Sequence, residues 1–173
     1  MSLKTISESL NKYNENYASL RIDPVAFSTF ISEYKSFFSD LNKAAQINES
    51  EENIKNIING FLKKAVYSSA EYTINTKNNI DSAISCNDKL MVMIEAKKPS
   101  NKTEMLNTND INRKAFHELI LYYLTESRNI DGERVKRNKD SEIKRLIVTN
   151  GFEWFVFDVN DIENLCDNYL ERH

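Results

Sequence analysis

The strongest structural signal in the sequence is the run Leu90-Met91-Val92-Met93-Ile94-Glu95-Ala96-Lys97-Lys98. Its first five residues are apolar on both faces, which is typical of a central strand covered on both sides. Side chains alternate along a strand, so Met93, Glu95 and Lys97 are predicted to share a face. The run therefore predicts a buried strand that ends with a carboxylate and an ammonium group side by side.

Further patterns on either side of this run predict the remaining elements. Strands are predicted within residues 72–74, 80–85 and 90–98, and in two runs of residues 145–158 around Asn150-Gly151. Helices are predicted from Asp23-Pro24 onward, from about residue 48, over residues 109–127 and over residues 160–172, with a charged mobile loop at 128–142. This order predicts a mixed central β-sheet flanked by helices, of the α/β or α+β class. We expect an N-terminal helical segment (residues 1–46) and a domain (residues 47–173) that form one compact unit.

Composition excludes several classes of protein. The chain has 173 residues, of which 40% are hydrophobic, enough for one domain with a core. Three glycines exclude a dinucleotide-binding fingerprint or a P-loop, and two histidines with two cysteines exclude a Cys/His zinc site. Neither a membrane-spanning run nor a signal peptide is recognisable, so we expect a cytoplasmic protein without membrane contact. The net charge of −3 does not exclude a local basic groove that binds nucleic acid.

The hairpin register decides whether Asp81 joins Glu95. Both side chains point to one face if Cys86 pairs with Leu90 across a three-residue loop, Asn87-Asp88-Lys89, or if a bulge has the same effect. A loop of two or four residues alone would send Asp81 to the opposite face. The favoured register also matches apolar residues across the strands: Ile84 with Val92, Ala83 with Met93, and Ile80 with Ala96.

Asp81, Glu95 and Lys97 supply the groups that metal-assisted phosphodiester hydrolysis needs. Two carboxylates suit a hard cation such as Mg²⁺, with Mn²⁺ as a substitute, because Mg²⁺ keeps several waters and takes further ligands from a phosphate. The metal polarises a phosphoryl oxygen and acidifies a water, and a nearby lysine orients that water or neutralises developing charge. The three residue types at this strand end are therefore suited to metal-assisted phosphodiester hydrolysis.

These residues resemble a known signature. Asp81, thirteen further residues and then Glu95-Ala96-Lys97 resemble the D…(D/E)xK motif of the PD-(D/E)XK nuclease superfamily, with Ser82-Ala83 as one departure. Residues 48–158 are similar to the N-terminal endonuclease domain of fused type II restriction enzymes, in which nuclease, adenine-specific DNA methyltransferase and target recognition share one polypeptide. The segments that carry this likeness are residues 61–64, 74–77, 94–102, 114–124 and 146–157.

The resemblance implies a restriction-endonuclease-like fold and Mg²⁺-dependent, site-specific cleavage of double-stranded DNA. It implies that Asp81 and Glu95 are the metal ligands and that Lys97 is the catalytic lysine. It also implies that the chain is part of a longer protein with covalently linked methyltransferase and target-recognition domains. A transient dimer is one way for such a domain to cut both strands. Two alternatives stay open: a catalytically inactive fold of the same type that serves as a DNA-binding or interdomain scaffold, and an interaction protein with no role on nucleic acid.

The superfamily often adds a glutamate from the helix before the core. Helical-wheel geometry favours Glu51, because Glu52 points nearly the opposite way. An alternative is that Glu51 completes a capping box with Asn48. Some relatives also carry a Gln-x-x-x-Tyr pair on the helix after the active-site strand, and its nearest match here is Glu118-x-x-x-Tyr122.

Basic residues after the predicted catalytic strand are candidates for DNA contact. Lys98, Lys102 and Lys114 follow the strand directly and enter the next helix, where they could form a phosphate-binding edge. The alternative is that these lysines are ordinary surface residues, which are equally expected in a chain of this composition. His117 is expected at the surface.

Overall fold

The computed structural model describes residues 23–77, 80–131, 134–137 and 141–170. Predictions for residues 1–22 of the N-terminal segment, and for the last residues of the C-terminal helix, lie outside the described residues. In the part of the chain that is described, no helix is long and apolar enough to cross a membrane.

Helices and strands follow one another much as the patterns indicate. The helices are α1 (Pro24–Gln46), α2 (Glu51–Phe61), which continues into a π-helical turn (Leu62–Val66), α3 (Lys114–Ser127) and α4 (Val159–Leu170). The strands are β1 (Tyr72–Lys77), β2 (Ile80–Cys86), β3 (Lys89–Ala96), β4 (Arg128–Asp131), β5 (Arg134–Arg137), β6 (Arg145–Thr149) and β7 (Trp154–Asp158).

One mixed sheet organises the fold. Its strand order is β1-β2-β3-β6-β7, with β3 and β6 parallel and the other neighbours antiparallel. Strands β4 and β5 form a separate two-stranded sheet between α3 and β6. The predicted α+β class, with a mixed sheet flanked by helices, is therefore confirmed, while likeness to restriction endonucleases stays a prediction.

Strand β3 is central and covered on both sides, as its composition indicates. Val92 and Ile94 pack in a cluster with α1 and α2, whereas Met93 packs with α3 on the opposite face. All three side chains are almost fully buried. This alternation places Glu95 and Lys97 on the α3 side of the sheet, because they share the parity of Met93.

The turn between β2 and β3 is shorter than the three-residue loop that the sequence favours. Cys86 pairs with Lys89, so the loop has two residues, Asn87 and Asp88, both with positive φ as a tight hairpin turn requires. A bulge between Ile84 and Ser85 then shifts the register by one residue. The three-residue loop is wrong, but the bulge alternative is confirmed, and so are the predicted pairs Ala83 with Met93 and Ile84 with Val92. The predicted pair of Ile80 with Ala96 lies beyond the last ladder pair, Ser82 with Ile94.

Two other boundaries need correction. Helix α3 begins at Lys114, five residues later than predicted, because Asn107 and Asp110 close a turn through reciprocal backbone hydrogen bonds of 3.1 and 3.2 Å. The predicted loop at residues 128–142 contains β4 and β5, whose register pairs the β-branched Ile130 and Val135.

The hairpin predicted around Asn150-Gly151 is present, although its turn has four residues. Gly151 has a φ of +86°, and a Cβ built there would lie 2.7 Å from Leu41 Cδ2 of α1. Glycine is thus required both by the backbone and by the close approach of α1.

Helix α1 begins as predicted and packs on the sheet. The carboxylate of Asp23 accepts hydrogen bonds from the backbone N–H groups of Val25 and Ala26, and Pro24 occupies the first helical position. The buried residues of α1 belong to the same apolar cluster as α2 and β3. The proposed division between residues 46 and 47 stays a prediction.

Candidate active site

The predicted site residues lie around the C-terminal end of β3. The backbone N–H of Lys97 donates a 2.9 Å hydrogen bond to the carbonyl of Thr149, so the chain keeps its strand geometry one residue past β3. The beginning of β2, the N-terminus of α2 and the first turns of α3 meet at this point. Side chains from four separate segments can therefore converge there.

Lys97 is the centre of this cluster. Its side chain is buried, at 4% exposure for the residue, and its Nζ donates to Glu95 Oε1 at 2.6 Å and to Glu118 Oε2 at 2.9 Å. Glu51 Oε1 and Glu104 Oε2 lie 3.6 and 3.9 Å from the same nitrogen. Burial alone would lower the pKa of Lys97, but the hydrogen bonds to Glu95 and Glu118 outweigh it and raise this pKa. Lys97 is thus a cation at neutral pH.

Glu95 is held next to a second negative charge. The residue is 4% exposed, and burial raises its pKa to about 8, with a further contribution from the Asp81 carboxylate. The hydrogen bond from Lys97 acts in the opposite direction. Its Oε1 is bonded to Lys97, and its Oε2 accepts no hydrogen bond from the described residues. One oxygen of Glu95 is therefore available for a ligand.

Asp81 lies at the same edge, on the neighbouring strand. Its Oδ2 accepts a 2.9 Å hydrogen bond from the backbone N–H of Ala96, directly after Glu95. Its Oδ1 lies 3.7 Å from the Nζ of Lys55. The bulge in the hairpin thus brings Asp81 and Glu95 together, as the favoured register requires.

Lys55 is a member of the site that the sequence interpretation missed. It belongs to α2, is 8% exposed, and pairs with both Glu52 and Asp81. Its position was detectable, because Lys55 is four residues after Glu51 and three before Ile58 and therefore lies on the inward stripe of the helix.

Glu51 contacts the site as the helical-wheel interpretation predicts. Besides its approach to Lys97, its Oε2 accepts a 3.2 Å hydrogen bond from the backbone N–H of Lys98. The alternative capping box is wrong, because Ser50 is the N-cap, and the Asn48 side chain instead accepts a hydrogen bond from Ser100 Oγ at 2.7 Å.

Helix α3 and the loop before it complete the cluster. Glu118 bonds to Lys97. Burial, and to a lesser extent the negative charges of Glu95 and Glu118, raise the pKa of Tyr122. Glu104 was not anticipated. It reaches the site from a loop where Asn101 Nδ2 donates to its Oε2 at 3.0 Å.

The three lysines predicted to contact DNA have different environments. Lys114 Nζ lies 2.7 Å from Glu104 Oε1 and 3.6 Å from Glu118 Oε1, so its charge is largely neutralised within the cluster. Lys98 is half-buried and Lys102 is exposed. His117 is exposed, as expected.

The donor set at this edge fits a hard cation held by two carboxylates. Glu95 Oε2 and Asp81 Oδ1 are the oxygens with the fewest competing contacts. Burial, with a smaller contribution from the Asp81 charge, raises the pKa of Glu95, and a bound cation would favour its ionised form. Across the described ranges, no group of three or more His, Cys, Asp or Glu side chains is arranged to hold a metal. Asp81 and Glu95 are the pair that could hold Mg²⁺, with water and phosphate completing its shell.

The pKa of Glu95 predicts how stability depends on pH in the metal-free protein. Its folded value of about 8 lies above the ordinary 4.5, so the folded state retains a proton that the unfolded state releases. The resulting stabilisation is complete below pH 4.5 and is lost as pH rises through about 8. Relative to Glu95→Gln, which cannot ionise, the free energy of unfolding should fall by up to about 1.4 kcal/mol per pH unit. Urea unfolding in EDTA at several pH values measures this difference, and parallel curves would contradict it.

Comparison with known proteins identifies the family without assigning an activity. No curated protein and no solved structure matches the chain. One family model matches residues 4–170, which is nearly the whole sequence. The chain therefore belongs to the family described as "Domain of unknown function (DUF7149)".

Proposed function

We propose that this chain is the Mg²⁺-dependent DNA endonuclease domain of a restriction-modification enzyme of the PD-(D/E)XK superfamily. It would hydrolyse phosphodiester bonds in double-stranded DNA as a type II site-specific deoxyribonuclease. The observation that carries the proposal is the meeting of Asp81, Glu95 and Lys97 at one end of β3, in the arrangement that the D…(D/E)xK spacing predicts.

Each residue has a role that its contacts support. Asp81 and Glu95 would hold the metal, which when bound supplies charge stabilisation at the scissile phosphate. The hydrogen bond from Ala96 N–H holds Oδ2 of the Asp81 carboxylate, and the other oxygen, Oδ1, lies 3.7 Å from Lys55 Nζ. Glu51 and Glu118 hold the Lys97 ammonium from two sides.

The charge of Lys97 narrows its role. Because its pKa is raised, it keeps its proton at neutral pH and is a poor general base. A fixed ammonium beside the phosphate instead stabilises negative charge that develops in the transition state and orients an attacking water by donating or organising hydrogen bonds. Lys97 thus acts as a cationic donor.

A specific observation favours one competing function. Lys97 and Glu95 already satisfy each other at 2.6 Å in a buried environment, and a structural ion pair would have the same geometry. In that case the fold would serve as a catalytically inactive DNA-binding or interdomain scaffold. This second candidate would be supported if Lys97→Met lowers the free energy of unfolding while the wild-type chain shows no Mg²⁺-dependent cleavage of DNA.

The wider assembly is part of the proposal. The full-length protein would carry covalently linked methyltransferase and target-recognition domains in the cytoplasm, and two nuclease domains would associate transiently to cut both strands. Because Lys97 and Lys114 at the site are paired with glutamates, the other domains would supply the contacts that recognise the DNA sequence.

Incubation of the purified chain with supercoiled plasmid tests the proposal. Nicked or linear plasmid should appear with Mg²⁺ or Mn²⁺ and should be absent with EDTA, because the two carboxylates alone cannot stabilise a phosphorane. The exposed Glu71→Gln variant is a control for the removal of one surface carboxylate and should cut normally. Cleavage that persists in EDTA would exclude the proposed chemistry.

A further inference from the structure

Lys55 of α2 lies next to Asp81, one of the two proposed metal ligands. We propose that Lys55 is a built-in counter-cation of Asp81, whose ammonium group competes with the metal for this carboxylate and thereby sets the metal affinity of the site. The inference rests on the proposed function for the identity of the metal, Mg²⁺ or Mn²⁺. It makes Lys55 a positioning residue, because it acts through Asp81.

The position of the ammonium group is the first observation. Asp81 Oδ2 accepts the 2.9 Å hydrogen bond from Ala96 N–H, and Lys55 Nζ lies 3.7 Å from the other oxygen, Oδ1. Oδ1 is the oxygen through which Asp81 would share a metal with Glu95. Lys55 and the metal would therefore be neighbours of the same oxygen. Since both are positively charged, each disfavours the presence of the other.

The burial of Lys55 is the second observation. The residue is 8% exposed, and its neighbours Ile54 and Ile58 are fully buried in the apolar cluster between the helices α1 and α2 and the sheet. A lysine is rarely buried unless its charge is paired, because the ammonium group loses hydration. The packing of α2 on the sheet thus holds the side-chain stem, so the ammonium group stays close to Asp81.

The anchoring of α2 on both sides of Lys55 is the third observation. Glu51, four residues before Lys55, accepts a 3.2 Å hydrogen bond from the backbone N–H of Lys98. Asn59, four residues after Lys55, accepts a 2.6 Å hydrogen bond from Ser82 Oγ of β2. Residues spaced by four share one face of a helix. The two contacts therefore fix the face that carries Lys55 against the ends of β2 and β3.

Glu52 gives Lys55 a second acidic partner. Its Oε2 forms an ion pair with Lys55 Nζ from three residues earlier on α2, and the Glu52 side chain is 64% exposed. A metal that binds Asp81 would shift the pairing of the ammonium group to Glu52 without leaving the lysine unpaired. The metal affinity should therefore depend on Glu52 as well as on Lys55.

Mn²⁺ binding by the whole chain in the absence of DNA tests the inference. Thermal unfolding over a series of Mn²⁺ concentrations gives the dissociation constant of each variant, because a metal that binds only the folded state stabilises it. Lys55→Met keeps the apolar stem but removes the charge. It should bind Mn²⁺ about tenfold more tightly, since a nearby positive charge no longer opposes the metal. A lysine that only supports the fold would leave the affinity unchanged or lower.

Two further variants separate this role from general effects of charge and folding. Lys43→Met removes an exposed lysine that also pairs with an acid three residues earlier, Asp40, and it should bind Mn²⁺ as the wild type does. Glu52→Gln should weaken Mn²⁺ binding about threefold, because the ammonium group then pairs with Asp81 alone. In the Lys55→Met background, Glu52→Gln should have no effect on the Mn²⁺ affinity. Because Glu52 is exposed, its variant should fold even if Lys55→Met does not.

Equal or weaker Mn²⁺ binding by folded Lys55→Met would overturn the inference, as would unchanged binding by Glu52→Gln. In both cases the wild type would still bind Mn²⁺, and the proposed function would stand. Failure of the proposed function gives different patterns. Absence of Mn²⁺ binding by both the wild type and Lys55→Met would exclude the metal site and this role of Lys55 together. The predicted effect of Lys55→Met without any cleavage of plasmid would exclude the nuclease alone.

Discussion

Replacement of Lys97 by methionine is expected to lower the rate of Mg²⁺-dependent DNA cleavage about 100- to 1,000-fold, the usual loss when one preorganised stabilising group is removed from an active site. Methionine keeps much of the buried aliphatic stem but removes the ammonium that contacts Glu95 and Glu118. The measurement is the single-turnover cleavage rate at saturating Mg²⁺. The DNA affinity should change little, because Lys97 is buried beneath the glutamates.

Folding of the Lys97→Met variant is a separate question that needs its own control. Removal of one partner of a buried ion pair commonly costs about 3–5 kcal/mol, but Glu95 can take up a proton, since its pKa is already raised. Lys97→Arg keeps the charge and should recover much of the stability while remaining impaired in cleavage, because a planar guanidinium does not reproduce the geometry of an ammonium. Wild-type cleavage by folded Lys97→Met would remove Lys97 from the mechanism.

Asp81→Asn and Glu95→Gln should each weaken Mn²⁺ binding at least tenfold, because each replaces a charged ligand by a neutral amide. Binding stabilises the folded state by about 2.7 kcal/mol when the metal concentration is 100 times the dissociation constant, so thermal unfolding with and without Mn²⁺ reports the affinity. Glu71→Gln should retain the full stabilisation.

The two substitutions should differ in the metal-free protein. Glu95→Gln preserves the acceptor for Lys97 and removes a carboxylate whose charged form is unfavourable, so it should be tolerated at high pH. Asp81→Asn removes the charge of one of the two acidic partners of Lys55 and weakens the hydrogen bond from Ala96 N–H. Equal Mn²⁺ stabilisation of the wild type and both variants would mean that the metal, if bound, lies elsewhere.

The main helices and strands could be predicted from local sequence, because burial of one or both faces of an element leaves a recognisable pattern of apolar residues. The apolar run from Leu90 to Ile94 indicated a strand covered on both faces, and Val92, Met93 and Ile94 pack in that way. Asp23-Pro24 indicated the start of α1 for a chemical reason, since the carboxylate caps the helix and proline needs no N–H partner there.

The turn at Asn87-Asp88 shows where local reasoning loses precision. A three-residue loop and a bulge both place Asp81 and Glu95 on the same face of the sheet. The matching of apolar residues across the strands cannot distinguish these two possibilities. The structure combines a two-residue turn with a bulge. Both turn residues, Asn87 and Asp88, have positive φ, a conformation that Asn and Asp adopt in tight hairpin turns.

Parts of the site could not be predicted because their contacts are distant in sequence. Glu104 lies in an irregular loop, and its approach to Lys97 depends on how that loop packs against α3. Lys55 carried a signal on the helical wheel, but a lysine among apolar positions is equally compatible with a long side chain that reaches solvent. The helical wheel placed Glu51 on the inward side of α2, and its contact with the backbone N–H of Lys98 agrees with that placement, while its role in the site stays a prediction.

A crystal structure of the chain with Mn²⁺ tests the central claim most directly, that Asp81 and Glu95 together bind a divalent metal at the end of β3. The account predicts an anomalous peak about 2.1 Å from one oxygen of each carboxylate. Absence of that peak at saturating Mn²⁺, with the Lys97–Glu95 ion pair unchanged, would contradict it.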